Sequence, residues 1–177
     1  MELWDVYDKN RQKTGRTVTR GLNEPLGDNE FRLVVFVCVF NLRGEMLIQK
    51  RRSFKDGWPG YWDAVTAGGS AISGETSGQA AERELFEEVG IRTCFINCLP
   101  HFTVNTNDAF CDFYLIRQDV DVDSLELGKD EVSQVKWVTK EDMIDMVDNG
   151  SLVPVQKGVI ELCFGLIERR STLTRDE

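Results

Sequence analysis

A chain of 177 residues, 41% hydrophobic and 29% charged, has the balance of a soluble globular protein and the length of one domain, read as spanning 1–177. Its net charge of −9 excludes general electrostatic binding to nucleic acid polymers or anionic membranes. A small anionic substrate stays open, because a bound metal reverses the sign locally.

Cysteine usage points the same way. Cys38, Cys94, Cys98, Cys111 and Cys163 are odd in number, and no pair has CxxC spacing. With His101 as the single histidine, no zinc site of the usual spacing can be written. The cysteines read as small buried hydrophobes, free in a reducing cytoplasm. The opening MELWDVYDKN lacks a basic segment before an apolar core and is not a signal peptide. The apolar run Leu33–Phe40 is too short to span a bilayer.

In chain order, Leu3–Tyr7 reads as a short strand, and Arg16–Arg20 pairs back as a hairpin across a polar turn at Asp8–Gly15. Pro25 and Gly27 mark a loop over Gly21–Asn29. Arg32–Phe40 is rich in β-branched and aromatic residues and predicts a strand buried on both faces. After a turn at Asn41–Gly44, Glu45–Arg51 is its partner, with Met46 and Ile48 alternating against Gln49 and Arg51. Ser53–Asp63 is a loop holding Trp58, Tyr61 and Trp62, aromatics that read as core before they read as a pocket wall. A short extended piece, Ala64–Ala67, leads into Gly69–Ile91.

That stretch opens as a glycine-punctuated loop and becomes an acidic helix ended by Gly90. Ala81, Leu85 and Val89 form its apolar stripe. Strands are then predicted at Arg92–Cys98, Phe102–Asn105, Phe110–Arg117 and Ser133–Val138, with an acidic connection over Asp119–Asp130. Thr139 and Asp142 form a capping box for a helix over Lys140–Asp148, stopped by Asn149–Gly150. A last helix runs from Pro154 to about Arg170, with Val155, Val159, Leu162, Leu166 and Ile167 on one side. Ser171–Glu177 reads as frayed. The layout is mixed, α+β or an α/β/α sandwich.

The chemistry concentrates in the Gly69–Ile91 helix. At about 100° per residue, Glu84, Glu87 and Glu88 share one side. Three carboxylates there repel one another. A hard divalent cation such as Mg²⁺ or Mn²⁺ removes the conflict, since it takes oxygen ligands from a few carboxylates and substrate phosphates.

Gly69, Glu75, the run Arg83-Glu84-Leu85, the pair Glu87-Glu88 and the closing Gly90-Ile91 reproduce the Nudix box position for position. The chain therefore resembles the Nudix family, whose members hydrolyse a diphosphate linked to another moiety with Mg²⁺ or Mn²⁺. The resemblance implies an α/β/α sandwich with a mixed sheet, decorated here by an N-terminal β-hairpin. It implies that Glu87, Glu88 and the Gly68 carbonyl are metal ligands. Glu84 is a further ligand or the base that activates water. Arg83 orients the glutamates, with Glu87 four residues on, and Glu75 holds the loop. Outside the box, Glu131 or its neighbour Asp130 is a candidate base. Lys50, Arg51 and Arg52 are candidates for phosphate contacts, and Trp62 for a substrate wall. His101 reads as structural, and Asp112 suggests no role. The implied partner is a small diphosphate compound, and the hairpin could support a homodimer.

The segments WDVYDKN, QKR and WPGYWD also resemble the isopentenyl-diphosphate isomerase branch. Those isomerases need a cysteine where this chain has Ala67, and several histidine ligands where it has only His101. Both absences favour hydrolysis over isomerase chemistry. The other alternative is a catalytically silent nucleotide-binding module, which the complete box disfavours.

Overall fold

The computed structural model describes residues 2–21, 24–55 and 57–168. Two antiparallel strands, β1 (Leu3–Tyr7) and β2 (Lys13–Thr19), form the N-terminal hairpin. The return strand begins three residues earlier than its composition suggests. A mixed sheet takes the order β6-β7-β3-β4-β8, with β5 paired to β3. Its strands are β3 (Arg32–Phe40), β4 (Met46–Arg51), β5 (Ala67–Ser70), β6 (Phe102–Asn105), β7 (Ala109–Arg117) and β8 (Val132–Val138). The helices among the described residues are α1 (Ser77–Val89), α2 (Lys140–Asp148) and α3 (Lys157–Glu168), with a short 3₁₀ turn at Val122–Ser124. The architecture is α+β.

The chain divides into two compact units. The first joins Met1–Val37, Gly68–Phe86 and Arg92–Tyr114. Its core is aromatic: Phe31 lies 4.9 Å from Phe110, Phe36 4.9 Å from Phe113, and Phe95 4.8 Å from Tyr114. The stripe expected on the box helix is real here, since Ala80, Ala81 and Leu85 are fully buried. The second unit joins Cys38–Ala67, Glu87–Ile91 and Leu115–Glu177. Its core includes Phe40, Met46, Leu47, Ile48, Val89, Met143 and Ile160. Phe40 meets Phe164 edge-on at 5.0 Å.

Four sequence expectations are corrected. Arg92–Cys98 is not a strand. Its Phe95 N–H donates to the Glu82 carboxylate at 2.5 Å, Cys98 N–H closes a turn on Phe95 C=O, and Asn97 takes φ 63°. These bonds use up the groups a ladder would need. The last helix begins at Lys157 rather than Pro154, because Leu152 still bridges Trp62 as extended chain and Val153 N–H donates to Trp62 C=O. It buries Ile160, Cys163 and Phe164, whereas Leu162 is exposed. Cys94 and Cys98 are exposed, unlike the other three cysteines. Trp58 and Tyr61 meet edge to face at the surface instead of entering the core. The expected end of the last helix at Arg170 and the tail Ser171–Glu177 lie outside the described residues.

Candidate active site

Helix α1 is fixed at both ends by local chemistry. At its start, Thr76 N–H donates to Gln79 Oε1 at 2.9 Å and Gln79 N–H donates to Thr76 Oγ1 at 3.3 Å. The sequence TSGQ carries the local signal for this reciprocal capping box. At its end, Gly90 takes φ 72° and a Cβ there would lie 3.0 Å from Glu126 C=O. Glycine alone meets both demands without strain.

In the first unit, Arg83 organises the loop ahead of the helix. Its Nε and one terminal nitrogen grip the Glu75 carboxylate at 2.8 and 3.0 Å. The latter nitrogen also donates to Ser70 C=O at 3.1 Å, and the other terminal nitrogen donates to Glu84 Oε1 at 2.7 Å. Burial works against the guanidinium charge, but the bonds to Glu75 and the charge and bond of Glu84 outweigh it and raise the group above its ordinary value. Glu75 in turn accepts from Ile72 N–H at 3.0 Å. One arginine thus ties the loop, Glu75 and Glu84 together through a rigid fork.

The two glycines of β5 make this close packing feasible. A Cβ on Gly69 would sit 2.6 Å from Glu84 Cδ. A Cβ on Gly68 would meet Phe36 Cδ1 at 2.6 Å and Val35 C=O at 2.7 Å. The box glycine is therefore the space that the Glu84 carboxylate occupies.

In the second unit, Glu88 is 4% exposed and accepts from Gln49 Nε2 at 2.6 Å. Gln49, expected on a polar face of its strand, is itself buried. Glu87 is exposed. Gly128 lies against this end of the helix: its N–H donates to Glu88 C=O at 2.9 Å, and a Cβ would lie 2.5 Å from Glu87 C=O. Glu131 follows three residues later, on the turn into β8, and pairs with Lys55.

The basic candidates separate. Arg51 donates to Asp63 Oδ2 and to Gly57 C=O, both at 3.0 Å. Arg52 has its Nε buried with no hydrogen-bond partner among the described residues. Lys50 follows Gln49 directly in β4, so the two side chains take opposite faces. Lys50 lies over Trp62 with its Nζ 5.8 Å from the ring centroid. The structure thus puts Lys50 and Trp62 together, on the face opposite the Gln49–Glu88 bond.

Asp112, for which the sequence suggests no role, is bound by three side chains in the first unit. It is fully buried, pairs with Arg11, and accepts from Ser77 Oγ at 2.5 Å and Thr103 Oγ1 at 2.7 Å. Its position in an apolar strand gave no signal, since its partner lies 101 residues away. The backbone N–H of His101, just ahead of β6, donates to Phe113 C=O at 2.7 Å, and partial burial lowers its imidazole pKa.

The donor set around α1 suits a hard divalent cation. Glu84, Glu87 and Glu88 are carboxylates on one helix, and the missing Cβ at Gly69 leaves room for that of Glu84. Among the described residues, no three His, Cys, Asp or Glu side chains converge as a metal cluster. Glu84 leans on Arg83 and Glu88 on Gln49 instead.

The family model for the NUDIX domain matches residues 30–162. A Nudix hydrolase of Listeria monocytogenes is 44% identical over 154 residues, covering 87% of this chain and 89% of that protein. The chain belongs to the Nudix hydrolase family. It is a Nudix pyrophosphohydrolase, of a family that generally uses divalent metal ions and acts on small nucleoside diphosphate-linked substrates. An isopentenyl-diphosphate Delta-isomerase of Cutibacterium acnes is 31% identical over 129 residues, 65% of this chain and 64% of that protein. A crystal structure from Deinococcus radiodurans shares the fold, with TM-score 0.75 and 22% identity over 92% of this chain and 99% of that one. No helix among the described residues is long and apolar enough to cross a membrane.

Proposed function

We propose that the chain cleaves the diphosphate bond of a nucleoside diphosphate derivative or related compound, with Mg²⁺ or Mn²⁺ bound at α1. Glu84, Glu87, Glu88 and the Gly68 carbonyl would hold the cation. Such an ion screens the anionic substrate and lowers the pKa of water. Arg83 is the positioning residue: its fork fixes where the Glu84 carboxylate points. That fork, packed against a residue with no Cβ, is the observation that carries the reading. Glu84 would take the proton of the attacking water unless it is fully engaged as a ligand, in which case Glu131 is the candidate base. Arg51 and Arg52 would hold phosphate oxygens. The buried Nε of Arg52, without a partner among the described residues, supports this.

Residues 1–177 are proposed to act as one domain, because the family match draws on both compact units. The free cysteines suit a reducing cytoplasm. The relatives named isomerases support a second reading, isomerisation of isopentenyl diphosphate. Ala67 is fully buried where that chemistry needs a cysteine, and solvent proton exchange on isopentenyl diphosphate would separate the two.

The test is a phosphate-release screen over nucleoside di- and triphosphates, nucleotide sugars, dinucleoside polyphosphates, coenzyme A and prenyl diphosphates. Release that needs Mg²⁺ or Mn²⁺ and stops with chelator is expected. Release indifferent to chelator would overturn the proposal.

A further inference from the structure

In the second unit, strand pairing collects an unusual set of side chains on one face. Lys136 is registered opposite Ile48 and Lys50 opposite Gln134 in the β4–β8 ladder. Residues two apart share a face, so Lys50 and Lys136 lie on the same one. Trp62 joins them through an antiparallel bridge to Lys50, and Leu152 joins through a parallel bridge to Trp62. The Nζ of Lys136 lies 4.4 Å from the Trp62 ring centroid, and that of Lys50 5.8 Å.

Both lysines are half-buried, and among the described residues neither makes an ion pair. This is notable in a chain of net charge −9. Two ammoniums drawn to one indole repel each other, an effect opposed by an attraction to the ring of about 0.5–2 kcal/mol each and, at Lys136, by the charge of the Asp142 carboxylate. A bound anion would relieve the remaining repulsion. Lysine serves as a point charge for phosphate, with donors free to rotate. Beside this group, Val147, Gly150, Leu152, Val153 and Pro154 help to line a cavity of about 430 Å³. Leu152 both lines this cavity and bridges Trp62, which sets the cavity next to the ring that the two lysines approach.

We infer that Lys50, Lys136 and Trp62 form a binding site for a small organic phosphate, its phosphate between the two ammoniums and its apolar body in the cavity beyond Leu152. The site lies on the strand face opposite Gln49, and so is separate from the α1 carboxylates.

The test is a titration of the full chain with butyl phosphate in metal-free buffer, followed by the indole N–H resonance of Trp62, assigned by its loss in Trp62→Phe. A saturable shift is expected, with affinity at least tenfold weaker in Lys136→Gln and retained in Lys136→Arg, which keeps charge and ring contact. Butanol should leave the resonance in place. Glu84→Gln, which tests the hydrolytic reading, should bind butyl phosphate as the unaltered chain does, so the two proposals fail independently. No saturable shift, equal affinity in Lys136→Gln, or loss of binding in Glu84→Gln would each overturn the assignment.

Discussion

The carboxylates of α1 and the ammoniums beside Trp62 are both clusters of like charge, and the protein holds them by different means. Glu84 is fixed by a guanidinium fork at 2.7 Å and Glu88 by an amide at 2.6 Å. Lys50 and Lys136 share an aromatic ring and make no ion pair among the described residues. Carboxylates that must present oxygens at set positions gain from rigid partners, because a displacement of about 1 Å can cost about 10²-fold in rate. Ammoniums that hold an anion by charge need no such directional support.

The largest expected effect comes from removing the fork. Arg83→Ala leaves Glu75 and Glu84 half-buried without their shared cation. A loss of about 3 kcal/mol in urea melts is expected, with hydrolysis down about 10³-fold. Arg83→Lys should restore little activity, since an ammonium cannot span Glu75, Ser70 and Glu84 together. Recovery by lysine would show that charge alone suffices at both clusters, and the contrast between them would collapse.

Gly69→Ala is the sharper probe. A methyl group there must displace the Glu84 carboxylate. A fall of about 10²-fold in kcat with folding intact is expected from steady-state kinetics. Unchanged kcat would mean that the position of Glu84 does not matter.

The smallest effect lies away from both clusters. Thr139 caps α2 reciprocally with Asp142. Thr139→Ala should lower stability by about 1 kcal/mol at neutral pH. Hydrogen bonds from the Thr139 side chain and backbone hold the Asp142 carboxyl below its ordinary value. With the folded value depressed, this contribution is complete above the ordinary carboxylate pKa of about 3.9 and fades as pH falls through the folded value. The gap between the two proteins should therefore narrow in strong acid, as read by denaturant melts.

What the sequence made legible follows the range of the interactions involved. The capping box of α2 lies within four residues, and the helix spans Lys140–Asp148 as its sequence predicts. Strands β1 and β3 and the stripe of α1 rest on local periodicity and were equally plain. Arg92–Cys98 has strand composition, yet Glu82 claims its backbone from a preceding helix. Pro154 carries a helix-start signal, but a bridge to Trp62 keeps the chain extended there. The same limit applies to the site. The box named Glu84, Glu87 and Glu88. Gln49 beneath Glu88, and Lys136 beside Lys50, are supplied by strand register, which no local pattern encodes.

The central claim is that α1 carries metal-dependent diphosphate hydrolysis. It is tested most directly by phosphate release in Glu84→Gln and Glu87→Gln, each beside the unaltered chain, on the best substrate of the screen with saturating Mg²⁺ and Mn²⁺. Both variants should lose about 10²- to 10⁴-fold in kcat while keeping the unaltered melting midpoint to within a few degrees. Full activity in both would place the chemistry elsewhere in the molecule.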